Sequence, residues 1–344
     1  MRTAIFAALA LAVSARLVAA QPQPKPTLLA GAVGASPIVM ELQPDPTEPG
    51  GRYFYRRTRF DINFSGATKA GAMSLEAFTT GDKFVLKPAA SGYAGEMTTK
   101  AGRRLPVTLR PAPAGDTYEA ERRVGLSLAP AGAYAVSGRP LRWYVEAQSG
   151  VRLFRIEGGY PPAVTTAINA ALQKAQWREV DDYFACPGEG GGPGVDEDKV
   201  SAVYLSDDYV SWAWSSSWSC ANAAHPDFGT EGRTFSARTG RELTLDELLA
   251  FGKAPPPDTD AWRDYRSSVF AQRLVARLRL LHPKEMATPG SDDGCDYSDP
   301  GVWDFPTWYL TAKGLYVGAI FARVARNCDN PEWSVIPWSA LKKP

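Results

Sequence analysis

The chain has 344 residues, a length that allows two domains. Hydrophobic residues make up 44% of it and charged residues 22%, which excludes a disordered chain of low hydrophobicity. With 38 basic and 37 acidic residues the formal net charge is +1, so the sequence has no broad electropositive surface for nucleic acid.

Residues 1–20 have the features of a secretory signal peptide. Arg2 gives a basic start, residues 4–13 are apolar, and residues 18–20 (VAA) fit the small-residue rule for cleavage before Gln21. The apolar run is too short to span a bilayer, and no later run has enough uncharged apolar residues to do so. The sequence therefore predicts a periplasmic or secreted protein without a membrane span.

The N-terminal half is expected to be β-structure. Residues 21–28 form a proline-rich linker, and residues 29–112 are predicted to be an antiparallel β-domain, because strand-like runs recur between Gly, Pro and Asp. Phe60, Ile62 and Phe64 alternate with polar residues, so one face of this strand is expected to be buried. No run with helical period interrupts the region.

Residues 113–149 are predicted to be an extended connecting region, and residues 150–344 an α+β domain with an antiparallel sheet and a few helices. The first helix begins at Pro161–Pro162 and runs to about Trp177, because proline suits a first helical turn and an apolar face follows. The overall fold class is thus α+β, with a β-domain followed by an α+β domain.

The rest of the second domain alternates strands and helices. Strands are predicted over 199–205, 209–218 and 229–237, an amphipathic helix over 260–281, and a last hairpin over 308–324. Thr244 and Glu247 have the spacing of a capping box, which predicts a short helix after Thr244.

All four cysteines lie in the C-terminal half, at Cys186, Cys220, Cys295 and Cys328. An even number in an exported chain predicts two disulfides. Of the three pairings that four cysteines allow, we favour Cys186–Cys220 and Cys295–Cys328, because each joins segments that are expected to be neighbours. A zinc site is the alternative, but it needs closely spaced ligands and the sequence has no C-x-x-C. We predict no metal and no cofactor.

The candidate binding residues lie on the strand over 209–218 and in the segment after it. They are Trp214, Trp218, His225, Asp227 and Phe228. The alternative for the tryptophans is core packing, since most aromatic side chains are buried. A partly exposed aromatic strip would instead bind sugar rings or a protein partner.

No catalytic residue is predicted. His225 beside Asp227 has the chemistry of a base or a metal ligand, but no nucleophile motif accompanies it, so a loop-capping role is expected. Residues 215–217 (SSS) lack the G-x-S-x-G pattern of a nucleophile elbow. The acidic loop over 292–299 lacks the alternating order of a calcium-binding loop.

Four segments carry a resemblance to a known family. Residues 219–226 (SCANAAHP) resemble the GGAH signature of the RsiV-like extracytoplasmic domain of unknown function, and residues 235–248 (FSARTGRELTLDEL) are similar to its lysine–threonine–glycine run. Residues 309–315 (YLTAKGL) and 335–341 (VIPWSAL) look like its two closing motifs. The resemblance covers about residues 150–344. It implies an α+β domain, which in an anti-sigma factor binds lysozyme and in a peptidoglycan deacetylase accompanies the catalytic domain.

The sequence thus predicts a non-enzymatic envelope protein that binds a protein, lysozyme-like in character, or cell-wall glycan. Two alternatives stay open. One is a cell-wall hydrolase that uses His225 and Asp227, and the other is a purely structural component of the envelope. The oligomeric state is left open.

Overall fold

A computed structural model describes residues 25–113, 116–221, 223–287 and 294–341. The predicted signal peptide lies outside the described residues. Antiparallel sheet predominates and helices are few, so the predicted α+β class fits only in part. Among the described helices, none combines the length and the apolar character that crossing a bilayer requires.

The N-terminal part is a closed barrel of eight antiparallel strands. Each strand pairs with its neighbour in the sequence, and β1 closes the barrel against β8. The strands are Thr27–Val33 (β1), Ser36–Gln43 (β2), Gly50–Tyr55 (β3), Ile62–Lys69 (β4), Ala72–Ala77 (β5), Lys83–Ala89 (β6), Gly92–Thr98 (β7) and Arg104–Pro111 (β8). The antiparallel β-domain is therefore present, and its first strand begins at Thr27, within the segment predicted as a linker.

The barrel interior is filled by the apolar half of each alternating strand. Its fully buried side chains include Leu29, Ile38, Met40, Tyr53, Phe64, Phe84, Leu86 and Leu109. The opposite faces are mostly polar, except where Val39 and Phe54 are buried against Tyr118 outside the barrel. The interior is thus a packed core.

A short helix, Tyr118–Arg123 (α1), packs on the outside of the barrel. Thr117 caps its first turn by accepting a hydrogen bond from the N–H of Ala120. The ring of Tyr118 meets that of Phe54 edge-on, with centroids 5.1 Å apart. This contact lies at the junction between the barrel and the rest of the chain.

The segment predicted as an extended connecting region belongs to the packed C-terminal part. Besides α1 it contains Leu128–Val136 (β9) and Arg139–Glu146 (β10), which form a sheet with Arg152–Ile156 (β11) in the order β11-β10-β9. The sheet's buried residues, such as Leu141 and Phe154, pack in one core with the next helix.

That helix, Pro162–Ala185 (α2), is longer than predicted. The sequence predicts its end at about Trp177. The structure continues it to Ala185 because Val180 and Phe184 prolong its apolar face and are fully buried.

A central sheet follows, formed by Val195–Leu205 (β12), Tyr209–Trp218 (β13) and Asp227–Ser236 (β14) in the order β12-β13-β14. The large side chains of β13 face α2 and the sheet β9–β11. Trp212 stacks on Phe235 of β14 with ring centroids 5.3 Å apart, and meets Phe154 of β11 edge-on. The strands agree with those predicted to within a few residues.

The other face of the central sheet carries small residues, and a third sheet approaches it closely. Ser211 Oγ hydrogen-bonds to Thr234 Oγ1 at 2.8 Å and accepts the backbone N–H of Leu310 at 2.9 Å. A Cβ atom on Gly232 would lie 1.8 Å from the carbonyl oxygen of Trp308. Only small side chains therefore allow this approach. The third sheet consists of Thr307–Thr311 (β15), Gly314–Gly318 (β16) and Val335–Pro337 (β17).

Helices pack against the third sheet. They are Leu245–Leu249 (α3), Asp260–Tyr265 (α4) and Ala271–Leu281 (α5), with 3-10 turns at Pro300–Trp303, Arg323–Cys328 and Trp338–Ala340. The predicted capping box at Thr244 and Glu247 is formed. The helix predicted over 260–281 is interrupted by a π-helical segment, Arg266–Phe270, in which the buried guanidinium of Arg266 pairs with Asp246 at 3.1 Å. This buried ion pair links the helix to α3.

Both disulfides have the favoured pairing. Cys186–Cys220 ties the end of α2 to the segment after β13, with a Cα–Cα distance of 4.8 Å. Cys295–Cys328 joins the segment before the third sheet to the 3-10 turn at Arg323–Cys328, with a Cα–Cα distance of 5.5 Å.

Candidate functional site

A cleft of about 510 Å³ lies where the C-terminal end of α2 passes over the central sheet. Its lining comes from residues 178–186 of α2 and its C-cap, the start of β12, the second half of β13 and the start of β14. The volume falls within the range of small-molecule binding sites, roughly 300–1,000 Å³.

Three aromatic side chains line the cleft. β13 contributes Trp214 and Trp218, and α2 contributes Tyr183. Between the two tryptophans lies Ser216, which points to the same face because strand side chains alternate, and its cross-strand partner is Gly229. These two small residues leave open the space that the aromatic rings surround.

Four carboxylates and one guanidinium share the cleft with the rings. The carboxylates are those of Glu179, Asp182, Asp198 and Glu231. Arg178 forms ion pairs with Glu179 at 2.8 Å and with Glu231 at 2.6 Å. Within the described part of the chain, neither Asp182 nor Asp198 forms an ion pair with a basic side chain.

Burial raises the pKa of Asp198 to about 7, although Trp214 Nε1 donates a hydrogen bond to its carboxylate and so favours the charged form. The negative charges of Glu179 and Asp182 raise this pKa further. Burial also raises the pKa of Glu179, against the opposing effect of Arg178. Asp198 is therefore partly protonated near neutral pH, which a surface carboxylate is not.

We expect Asp198→Asn to stabilise the protein at alkaline pH. The folded-state pKa of about 7 lies above the ordinary value of 3.8, so the folded state binds more protons between these values and its stability falls as pH rises through that window. Asparagine does not ionise, so the variant does not lose this stability as pH rises. Since the cleft is open to water, the expected gain at pH 8 is about 2 kcal/mol, roughly half of what a fully dehydrated shift of this size would give. At pH 4 the gain should vanish.

Urea unfolding at pH 4, 6 and 8 measures this difference. Glu197→Gln is the matched control, since Glu197 is the exposed neighbour of Asp198 on β12, pairs with Lys199 and does not line the cleft. If Asp198→Asn gained the same stability at pH 4 and at pH 8, protonation of Asp198 would not be the cause of the gain.

The structure divides the predicted binding residues into two groups. Trp214 and Trp218 line the cleft, whereas His225, Asp227 and Phe228 are absent from its lining. The second group contacts the 3-10 turn Arg323–Cys328, which follows the third sheet's hairpin.

Two arginines hold the second group. Arg323 donates to Nδ1 of His225 and pairs with Asp227 at 3.1 Å. Arg326 pairs with Asp227 at 2.6 Å and places its guanidinium carbon 4.8 Å from the ring centroid of Phe228. Slight burial raises the pKa of Asp227, but hydrogen bonds from the Phe228 N–H and from the two guanidiniums outweigh it, so the pKa is lowered. Asp227 is thus a permanent anion that anchors this loop.

The carboxylates of the cleft were not among the site residues predicted from the sequence. Glu179 and Asp182 lie beyond the predicted end of the helix, and Asp198 lies just before the strand predicted over 199–205. Val180 and Phe184, four residues apart, were the available signal that the helix continues. A helix extended in this way places Glu179, Asp182 and Tyr183 beside each other at its end.

No group of three or more Cys, His, Asp or Glu side chains within the described ranges is arranged to hold a metal ion. Asp292 and Asp293, which belong to the acidic loop compared above with a calcium-binding loop, lie outside those ranges.

A scan against protein-family models finds no match to this chain. A search of curated proteins finds no match either. The resemblance to the RsiV-like domain stays a prediction that rests on four short motifs.

Proposed function

We propose that this chain is an exported, non-enzymatic binding protein of the cell envelope, and that the cleft at the end of α2 binds a segment of cell-wall glycan. The observation that carries the proposal is the combination of aromatic rings and carboxylates around one open space. The RsiV-like motifs favour the same class of protein.

The lining suits a sugar. The C–H face of a pyranose ring is apolar and packs on an aromatic ring, while its hydroxyl groups donate hydrogen bonds to carboxylate oxygens. Trp218 supplies most of the first kind of contact, since Trp214 is only 6% exposed and presents one edge, and Asp182 and Asp198 supply the second. Small-molecule sites commonly combine an apolar wall with a few placed polar groups in this way.

Two disulfides fit an oxidising compartment. Together with the signal-peptide features of residues 1–20, they support export to the periplasm or beyond. The cysteines that close the cleft, Cys186 and Cys220, would be kept oxidised there.

We expect Trp218→Ala to weaken binding to purified peptidoglycan about tenfold, since the loss of one aromatic anchor in a binding site commonly costs more than 1 kcal/mol. Co-sedimentation of the protein with insoluble peptidoglycan measures the effect. Phe228→Ala is the control, because Phe228 is an exposed aromatic residue outside the cleft. If only the Phe228 variant lost binding, the loop around His225 would be the binding surface. A parallel arm with immobilised lysozyme tests the protein-binding alternative.

One observation favours a hydrolase as a second candidate. A carboxyl group with a pKa of about 7 inside a cleft, as Asp198 has, is suited to act as a general acid at neutral pH. Measuring soluble fragments released in the same peptidoglycan suspension separates the two functions. Release that Asp198→Asn abolishes would establish the hydrolase in place of the binding protein.

A further inference from the structure

We infer that the glycan bound in this cleft carries a free, protonated amine on one of its sugar rings, and that the carboxylates of Asp182 and Asp198 bind that ammonium group. This inference rests on the proposed function and specifies its ligand. The ligand class is therefore a glycan that contains unacetylated amino sugar.

The first argument is the balance of charge. Among the described residues that line the cleft, Arg178 is the only basic one, and its guanidinium is shared between Glu179 and Glu231. Arg178 attracts Asp182 without forming an ion pair with it, and Asp198 has no basic partner among the described residues. An anion that is partly removed from water is costly unless it is paired. A cation that enters the cleft therefore gains binding free energy that a neutral sugar does not gain.

The second argument is the chemistry of the partners. Trp214 donates its Nε1–H to Asp198, which fixes this carboxylate beside an indole ring. An ammonium group has three N–H donors and no acceptor, and it is also attracted to the face of an aromatic ring. The oxygen lone pairs of Asp198 that the indole N–H does not occupy can accept from such a group, and the ring of Trp218 lines the same cleft.

The third argument is the spacing of the aromatic walls, which favours a sugar chain over a single lysine side chain of a protein. Trp214 and Trp218 lie four residues apart on β13, a separation of about 13 Å along the strand. Successive sugar rings span such a distance and contact both indoles. One lysine tip contacts only the ring next to its ammonium group.

The test uses the purified protein and three probes: a β-1,4-linked glucosamine tetramer, its fully N-acetylated counterpart, and tetralysine. Binding is followed by titration calorimetry at pH 7, because Asp198, with a pKa of about 7, is largely protonated at lower pH. We expect the glucosamine tetramer to bind at least about tenfold more tightly than the acetylated one, as a charge-assisted hydrogen bond gained on binding implies.

The variant Asp182→Asn/Asp198→Asn should abolish this preference, because the amide oxygens still accept hydrogen bonds from sugar hydroxyls but carry no charge to pair with an ammonium group. The two tetramers should then bind with similar affinity. Glu197→Gln, on the same strand but outside the cleft, should leave the preference intact, and thermal unfolding of each variant checks its folding. Equal affinity for both tetramers in the native protein would overturn the inference while the glycan-binding proposal survives. Failure of both tetramers to bind would overturn the proposed function itself. Tetralysine binding as tightly as the glucosamine tetramer would overturn the assignment to a glycan.

Discussion

Replacing Arg122 by methionine should lower the free energy of unfolding by about 3–5 kcal/mol, the usual cost of removing one partner from a buried ion pair. The Arg122 side chain is only 1% exposed and that of Asp61 only 4%. The guanidinium pairs with Asp61 and donates a hydrogen bond to the carbonyl oxygen of Asp181 in α2 at 2.8 Å. Urea unfolding at pH 7 measures the loss.

The loss arises because Asp61 would be left buried with weaker partners. Tyr118 still donates its hydroxyl to Asp61 at 2.8 Å, but Arg52 is 3.5 Å away. Burial already raises the pKa of Asp61, and Arg122 is the main group that opposes it. The double variant Arg122→Met/Asp61→Asn should therefore be more stable than Arg122→Met alone. If the two variants were equally stable, the stability lost in Arg122→Met would not come from the unpaired charge of Asp61.

Replacing Cys186 and Cys220 together by serine should cost about 3–4 kcal/mol of stability, the chain-entropy estimate for a closed loop of this length. The bonded residues are 34 apart in sequence. Denaturant unfolding under non-reducing conditions measures the loss.

The second disulfide provides a matched control. Cys295 and Cys328 are 33 apart, so their double serine variant should lose a similar amount of stability. Only the first pair lines the cleft, so only its variant should also weaken peptidoglycan binding. Equal loss of binding in both variants would mean that the effect comes from reduced stability alone.

Local pattern predicted the elements of this fold better than their assembly. Tyr209–Trp218 was predicted with its observed bounds because large and small residues alternate along it. Closure of the barrel was not predicted, because the pairing of β1 with β8 joins residues far apart in sequence and leaves no local signal. The π-helical segment at Arg266 was not predicted either, and its Arg266 side chain pairs with Asp246 in another helix, which has no local sequence signal.

The candidate site was predicted only in its aromatic half. Trp214 and Trp218 were predicted from residue type and both line the cleft, but Trp214 is also buried in the core, as the alternative expected. The carboxylates were overlooked because acidic residues at helix ends and strand starts are usually solvated. What distinguishes Asp198 is its burial beside Trp214 and α2, and burial follows from the tertiary structure.

The third sheet packs closely behind the part of the central sheet that lines the cleft. Thr307 of β15 donates its hydroxyl to the carbonyl oxygen of Thr230, a residue that lines the cleft, and Gly232 lets the backbone of β15 come close behind it. The strand β14 beneath the cleft is thus held from behind by the Thr307 hydrogen bond and by the backbone of β15, which has no rotamers to rearrange. A receptor surface held in this way loses little conformational entropy on complex formation, so more of each contact's energy appears as affinity.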